Sequence, residues 1–366
     1  MATSGSQIDI KRRGADGLGP DDAGDSKMVA AGRLYHAYFT GLILTLVARR
    51  PEGDAARWME ALFRHQHHQK FLSSFEKLGL GELPHAQAAA AYHYLSNRIG
   101  GVHVEYMAES EQKAWVRFVP PRWVYAGAAI CGVPSDVSRA MLRGWYQQNG
   151  VSLGNPRLGF VCTAQTVDGQ HGLAGYFREF DHDLAAEERL QFRPGEMPPP
   201  FDPVAAPMLD DASWPAERLG KARRNYAIEY IRSGLPQMAQ LFGPVDAAYL
   251  GRITGRLIGA QFYQETAALM RLDGGQRDAL GFARYMAALA AGEGDQATVE
   301  GDASRARVTR TGWRLARGWG AQPPELFEAW NGLFEGALSV HDRTLRLTVD
   351  AREDSGDGAT VWTIRA

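Results

Sequence analysis

The sequence is short of cysteine, with only Cys131 and Cys162 in 366 residues. That excludes a disulfide framework and paired-cysteine zinc modules, and it reads as the composition of a cytoplasmic chain. An excess of either charge is also lacking: 40 Lys and Arg stand against 42 Asp and Glu, a net charge of −2. No basic field attracts nucleic acid, which is not expected as a partner. Long apolar runs are missing too. The most apolar stretch, 34–48, is interrupted by His36 and is shorter than the roughly 20 residues of a membrane span, so no membrane partner is expected. Gly150 to Gly154 lacks the Lys-Ser/Thr ending of a phosphate loop, and no His-Glu-x-x-His motif occurs. Residues 1–27 have no apolar run and no signal peptide, and read as a disordered arm.

What is present is an ordered alternation of two periods. Apolar residues at spacings of three and four predict helices over 28–50, 54–78 and 85–99, punctuated by Pro51, Gly79 and Gly100. The pattern then alternates, predicting a hairpin of 102–107 with 113–119. A helix over 135–148, stopped by Asn149-Gly150, and two strands over 157–166 and 173–180 follow. Seven of the 18 prolines fall within 194–215, which reads as a linker. After it the same order returns: helices over 214–242, 246–272 and 276–290, a hairpin of 298–300 with 305–309, a helix over 325–339, and strands over 344–351 and 359–365.

The expected fold class is therefore α+β, as two tandem copies of a helical bundle plus a small antiparallel sheet, related by a pseudo-twofold. The copies are 28–193 and 216–366. Residue matches accompany the element order. Leu42 precedes Pro51 by nine residues, and Leu235 precedes Pro244 by nine. Val104-Glu105 matches Val299-Glu300, and Trp145 matches Trp330.

In this arrangement each copy resembles the L-2-amino-thiazoline-4-carboxylic acid hydrolase-like family and the related vinyl-reductase-type ligand-binding domains. The residues that carry the resemblance are Val102 to Val119, then Leu142-Arg143-Gly144-Trp145 through Phe160-Val161-Cys162-Thr163, and in the second copy Trp330 to Val349. Such families are richer in cysteine at the strand positions, where only Cys162 stands here. The resemblance implies a small-molecule site and transfers no catalytic residue.

The candidate site residues all lie in the first copy. His65, His67 and His68 share one helix, and His65 and His68, three apart, are candidate ligands for a divalent metal. The aligned second-copy residues are Leu257, Ile258, Gly259 and Ala260, so a site here is asymmetric. His103 and Glu105 alternate on one strand face, where a carboxylate orients an imidazole as a general base. His93 and Asn97, four apart on the third helix, are candidate substrate-binding residues in a pocket between that helix and the sheet. Cys162 is a candidate at the same pocket, with the competing reading of a small core residue.

Three functions fit these residues. The first is a hydrolase of a C–N bond in an amide-like or heterocyclic substrate, with His67, His68, His103 and Glu105 as its catalytic set and a metal as an optional cofactor. The second is a non-catalytic pocket for an apolar or aromatic small molecule, which nine tryptophans equally suit. The third is an interaction platform, with a homo-oligomer left open.

Overall fold

Proline and glycine set the helix ends. In the computed structural model, which describes residues 26–121, 124, 126–210, 212–319 and 322–366, helix α1 (Ser26–Arg49) stops just before Pro51. Helix α2 (Asp54–Leu78) starts after Gly53 and ends at Gly79, both in the left-handed region. Helix α3 (His85–Ile99) follows Pro84 and closes at Gly100. The hairpin β1 (Val104–Ser110) and β2 (Lys113–Phe118) comes next. The chain continues through α4 (Ser135–Gly144), α5 (Asn149–Ser152), β3 (Leu158–Ala164), β4 (Leu173–Glu179) and β5 (Leu190–Phe192). The second half contains α6 (Ala216–Phe242), α7 (Pro244–Leu269), α8 (Ala279–Glu293), β6 (Gln296–Gly301), β7 (Arg305–Thr311), α9 (Glu325–His341), β8 (Arg346–Ala351) and β9 (Thr360–Arg365). The arm predicted over 1–27 falls mainly outside the described residues; Ser26 and Lys27 belong to α1. No helix among the described residues is long and apolar enough to cross a membrane.

The chain is thus mixed helix and sheet, and the order of elements recurs. The first sheet runs β1-β2-β4-β3-β5 and the second β6-β7-β9-β8. Every pairing is antiparallel except β3 with β5. A bulge interrupts β3–β4 between Cys162 and Ala164, and another interrupts β8–β9 between Val349 and Ala351. Each bulged strand leads into a one-turn 3₁₀ helix closed by a glycine with positive φ, Gly169 at 75° and Gly356 at 100°. Opposite charges also face each other at one register in both hairpins: Glu105 opposite Arg117, and Glu300 opposite Arg307.

Gly41 and Gly234, each just before the matched Leu42 and Leu235, have a packing cause. The first helix of each half lies against the second helix of the other half, α1 on α7 and α6 on α2. A Cβ at Gly41 would stand 2.9 Å from Thr254 and Ile258, and one at Gly234 would stand 3.0 Å from Trp58. Trp58 Nε1 donates to the Gly234 carbonyl (2.8 Å), and the Tyr38 hydroxyl reaches the Ala329 carbonyl (2.6 Å). One apolar core consequently runs through both halves. The segment 194–215 carries no helix or strand among its described residues, yet it is no free spacer. Ala206 is buried, Leu209 packs on the main core, and Phe201 also covers a patch of Met107, Trp115, Val161 and Tyr176 on the first sheet's outer face.

The predicted helix 135–148 is shorter than expected. A Cβ at Gly144 would lie 2.5 Å from the Glu60 carbonyl oxygen of α2, so this glycine marks a close helix crossing. Beyond it the chain tightens into a 3₁₀ turn, Tyr146–Gln148, and then α5. Asn149-Gly150 does not end the helical segment. Asn149 opens α5 and is fully buried, because its side chain serves His93.

Candidate functional site

Three helix faces, two from the first half and one from the second, meet around a cavity of about 310 Å³. From α2 come Phe63, Gln66, Lys70, Ser74 and Lys77, at spacings of three and four. The α3 wall presents Tyr92, His93, Ser96 and Asn97. On the α6 side stand Ala222, Asn225, Tyr226, Glu229 and Tyr230. Met141, Trp145 and Tyr146 close one end, and Trp214 stands at another. The size is within the ordinary range of ligand pockets, and the walls combine Phe, Tyr and Trp rings with convergent polar groups.

A hydrogen-bonded chain spans two of the walls. Tyr230 donates to the Tyr226 hydroxyl (3.1 Å), Tyr226 donates to Asn97 Oδ1 (3.0 Å), and Asn97 Nδ2 donates to the His93 carbonyl (2.8 Å). Gly100 makes room for this: a Cβ there would lie 2.6 Å from the Tyr226 ring. Among the described residues, two polar atoms in the lining are buried without a partner, the Trp145 indole N–H and Asn225 Oδ1. Buried polar groups normally find partners, so these two have bonding capacity to offer a ligand.

The corresponding helix of the second half is packed more closely at its end. The penultimate residue of α3 is Arg98, whereas that of α8 is Gly292. A Cβ at Gly292 would overlap the Lys27 carbonyl, so α1 lies directly on α8. The corner where α1, α8, β7 and α9 meet is filled by Tyr35, Glu293, Arg310 and Trp330, all fully buried.

The predicted residues divide. His93 and Asn97 line the cavity, between helices rather than over the sheet alone. The His93 ring stacks on Tyr146 (4.0 Å between centroids) and Phe177 (5.4 Å). Asn149 Nδ2 donates to its Nε2 (3.0 Å), which suits the neutral tautomer. Burial, with His67 nearby, holds its pKa well below the usual imidazole range. His67 lies behind the wall, stacked on Phe71 (4.6 Å) and edge-on to Trp145 (5.7 Å), with Nε2 at 2.9 Å from Ser152 Oγ. Where α2 carries this histidine, the aligned residue of α7 is Gly259, pressed against the Leu333 carbonyl of α9.

The remaining candidates do not converge with these. His68 is exposed, and His65 is half-buried on a groove outside the cavity. No group of three or more His, Cys, Asp or Glu among the described residues is arranged to hold a metal, so the His65–His68 pair lacks the further ligands a site requires. His103 is exposed at the start of the hairpin. Glu105 is buried and ion-paired with Arg117, so its carboxylate is committed to the hairpin rather than to orienting an imidazole. Cys162 is buried outside the cavity lining, and burial pushes its thiol up to about 12, which removes it as a nucleophile at neutral pH. The residues that sequence reasoning missed are the α6 wall, Trp145, Lys70 and Lys77. Their only signal is helical spacing of polar side chains, which equally describes a solvated face.

The buried imidazoles make stability pH-dependent. Burial pushes His67 down to about 3, aided by His68, and His36 down to about 3, aided by Arg33. Unfolded, each takes a proton below about 6.5; folded, each resists it until near 3. The unfolded state therefore binds more protons in that window, and stability must fall as pH drops from 6.5 toward 3. Thermal melts from pH 7 to pH 4 should show a declining midpoint, with a shallower decline in His67→Gln. A midpoint that is flat or rises toward pH 4 contradicts this account.

No protein-family model and no curated protein matches the sequence.

Proposed function

We propose that this chain is a small-molecule-binding protein that encloses an apolar, largely aromatic ligand between α2 and α3 of the first half and α6 of the second. The observation that carries this reading is the cavity between α2, α3 and α6, walled by Tyr92, Trp145, Tyr226 and Tyr230 and holding two unpartnered polar atoms. Binding is favoured over hydrolysis for a specific reason. Among the described residues His93 is the histidine that lines the cavity, and its Nε2 is already engaged by Asn149. No nucleophile–base pair stands beside it, as covalent or general-base catalysis requires.

We also read the halves as products of an internal duplication. The shared strand order, the matched bulges and the facing Glu–Arg positions support this. On that reading one copy kept an opening that the other closed with Gly292.

The test is a fluorescence titration of the full chain with N-phenyl-1-naphthylamine, a neutral aromatic probe. Saturation at one probe per chain is expected. Weak, non-saturating fluorescence removes the reading.

A further inference from the structure

The cavity does not end at its aromatic walls. A polar groove of about 840 Å³ runs outside it between α2 and α6. The two spaces share Lys70, Ser74, Lys77 and Glu229, so they adjoin along the α2 and α6 faces. The groove's charges are unequal. Lys70, Lys77, Arg232 and Arg317 surround a single carboxylate, Glu229.

That carboxylate is already satisfied. Lys70 pairs with it at 2.9 Å and Arg232 at 3.0 Å, and Ser233 donates to it at 3.1 Å. Arg232 is also tied to the Arg314 and Leu315 carbonyls. Lys77 and Arg317 are exposed and have no carboxylate within ion-pair distance among the described residues. Lys77 sits where cavity and groove join, and its backbone carbonyl accepts the Trp214 indole N–H at 3.1 Å. Arg317, in the segment leading to α9, lines the same groove. An apolar chamber adjoining a groove with surplus positive charge suits a molecule with two unlike ends.

We propose that the ligand is an amphipathic organic anion, with a ring-containing apolar body in the cavity and a carboxylate, sulfonate or phosphate head in the groove beside Lys77 and Arg317. This rests on the cavity being a binding site. It adds the class of ligand and its orientation. The neutral groups of the body meet Trp145 and Asn225, while the head lies in partly hydrated space, where an anion keeps much of its water and gains two cations.

Two probes with one skeleton test it. 8-Anilino-1-naphthalenesulfonate is N-phenyl-1-naphthylamine with a sulfonate added. The full chain should bind the sulfonate more tightly than the neutral probe, and added sodium chloride should weaken only the sulfonate. In the double variant Lys77→Met, Arg317→Gln, the ratio of the two affinities should fall by about tenfold, the order expected of two solvent-exposed ion pairs. Saturable neutral-probe binding with no sulfonate preference and no salt dependence overturns the anion assignment and leaves the cavity reading standing. An unchanged ratio in a double variant that melts like the parent overturns it as well. Failure of both probes to saturate removes the cavity reading, and the anion assignment falls with it. The salt dependence needs no variant and so decides even if the double variant misfolds.

Discussion

Arg310→Ala should lower the unfolding free energy by about 3–5 kcal/mol, the largest loss expected of any single substitution considered for this chain. Arg310 is 1% exposed, on β7. Its guanidinium binds Asp295 at 2.5 Å, is ion-paired with Glu293, and lies 5.0 Å from the Trp330 ring centroid. Removing it leaves two buried carboxylates without their shared cation, and the two like charges repel each other. The pair also anchors neighbours: Asp295 accepts the Arg314 backbone N–H (3.0 Å), and Trp330 donates to the Tyr35 hydroxyl (2.9 Å). Burial already raises the Glu293 carboxyl above its ordinary range, and losing the cation raises it further. A carboxyl that holds its proton more tightly when folded loses stability as pH rises. The deficit should therefore be greater at pH 8 than at pH 5. Urea denaturation at both values checks the size and the sign; a loss below about 1 kcal/mol would mean that the network is not the keystone described.

Ala222→Trp should reduce binding of the neutral naphthyl probe on the order of a hundredfold while leaving the fold intact. Ala222 is half-buried on the cavity side of α6, so an indole there enters the cavity instead of the packed core. It displaces about 100 Å² of ligand contact, worth roughly 2.5 kcal/mol. The helix itself loses well under about 1 kcal/mol by the exchange. Probe titration and a thermal melt together separate the two effects. Full retention of affinity would place the probe elsewhere.

Much of the fold was legible because local chemistry and tertiary structure agree. Pro51, Gly79, Pro84 and Gly100 bound the helices where their backbone preferences predict, and the buried α6 positions Ile228, Ile231, Leu235 and Met238 have helical spacing. The exceptions have tertiary causes. Helix α4 stops at Gly144 because α2 crosses there, which no local pattern encodes. Strand β5 is three residues long, too short to alternate visibly, and exists because β3 offers an edge. Glu105 and Glu300 each face an arginine across their hairpins, a cross-strand pairing that alternation along one strand does not announce.

The site was legible by one wall. His93 and Asn97 stood out as polar residues beside an apolar face, and both reach the cavity. His103 and Glu105 misled because alternation places two side chains on one face but says nothing of Arg117 across the hairpin. The histidine run misled in a similar way. A helix turns His67 inward against Phe71 and Trp145 while His68 faces out, so neighbours in sequence meet opposite environments. The α6 wall comes from beyond the proline-rich segment, more than 100 residues away, and its polar positions look like an ordinary solvated stripe.

The central claim is a location, and one methionine reports it. Met141 lines the cavity, whereas Met286 is buried in α8 of the second half. With methyl-labelled methionine, assigned through Met141→Leu and Met286→Leu, N-phenyl-1-naphthylamine should shift the Met141 methyl resonance saturably and leave that of Met286 in place. A saturable shift at Met286 with Met141 unmoved would contradict the account.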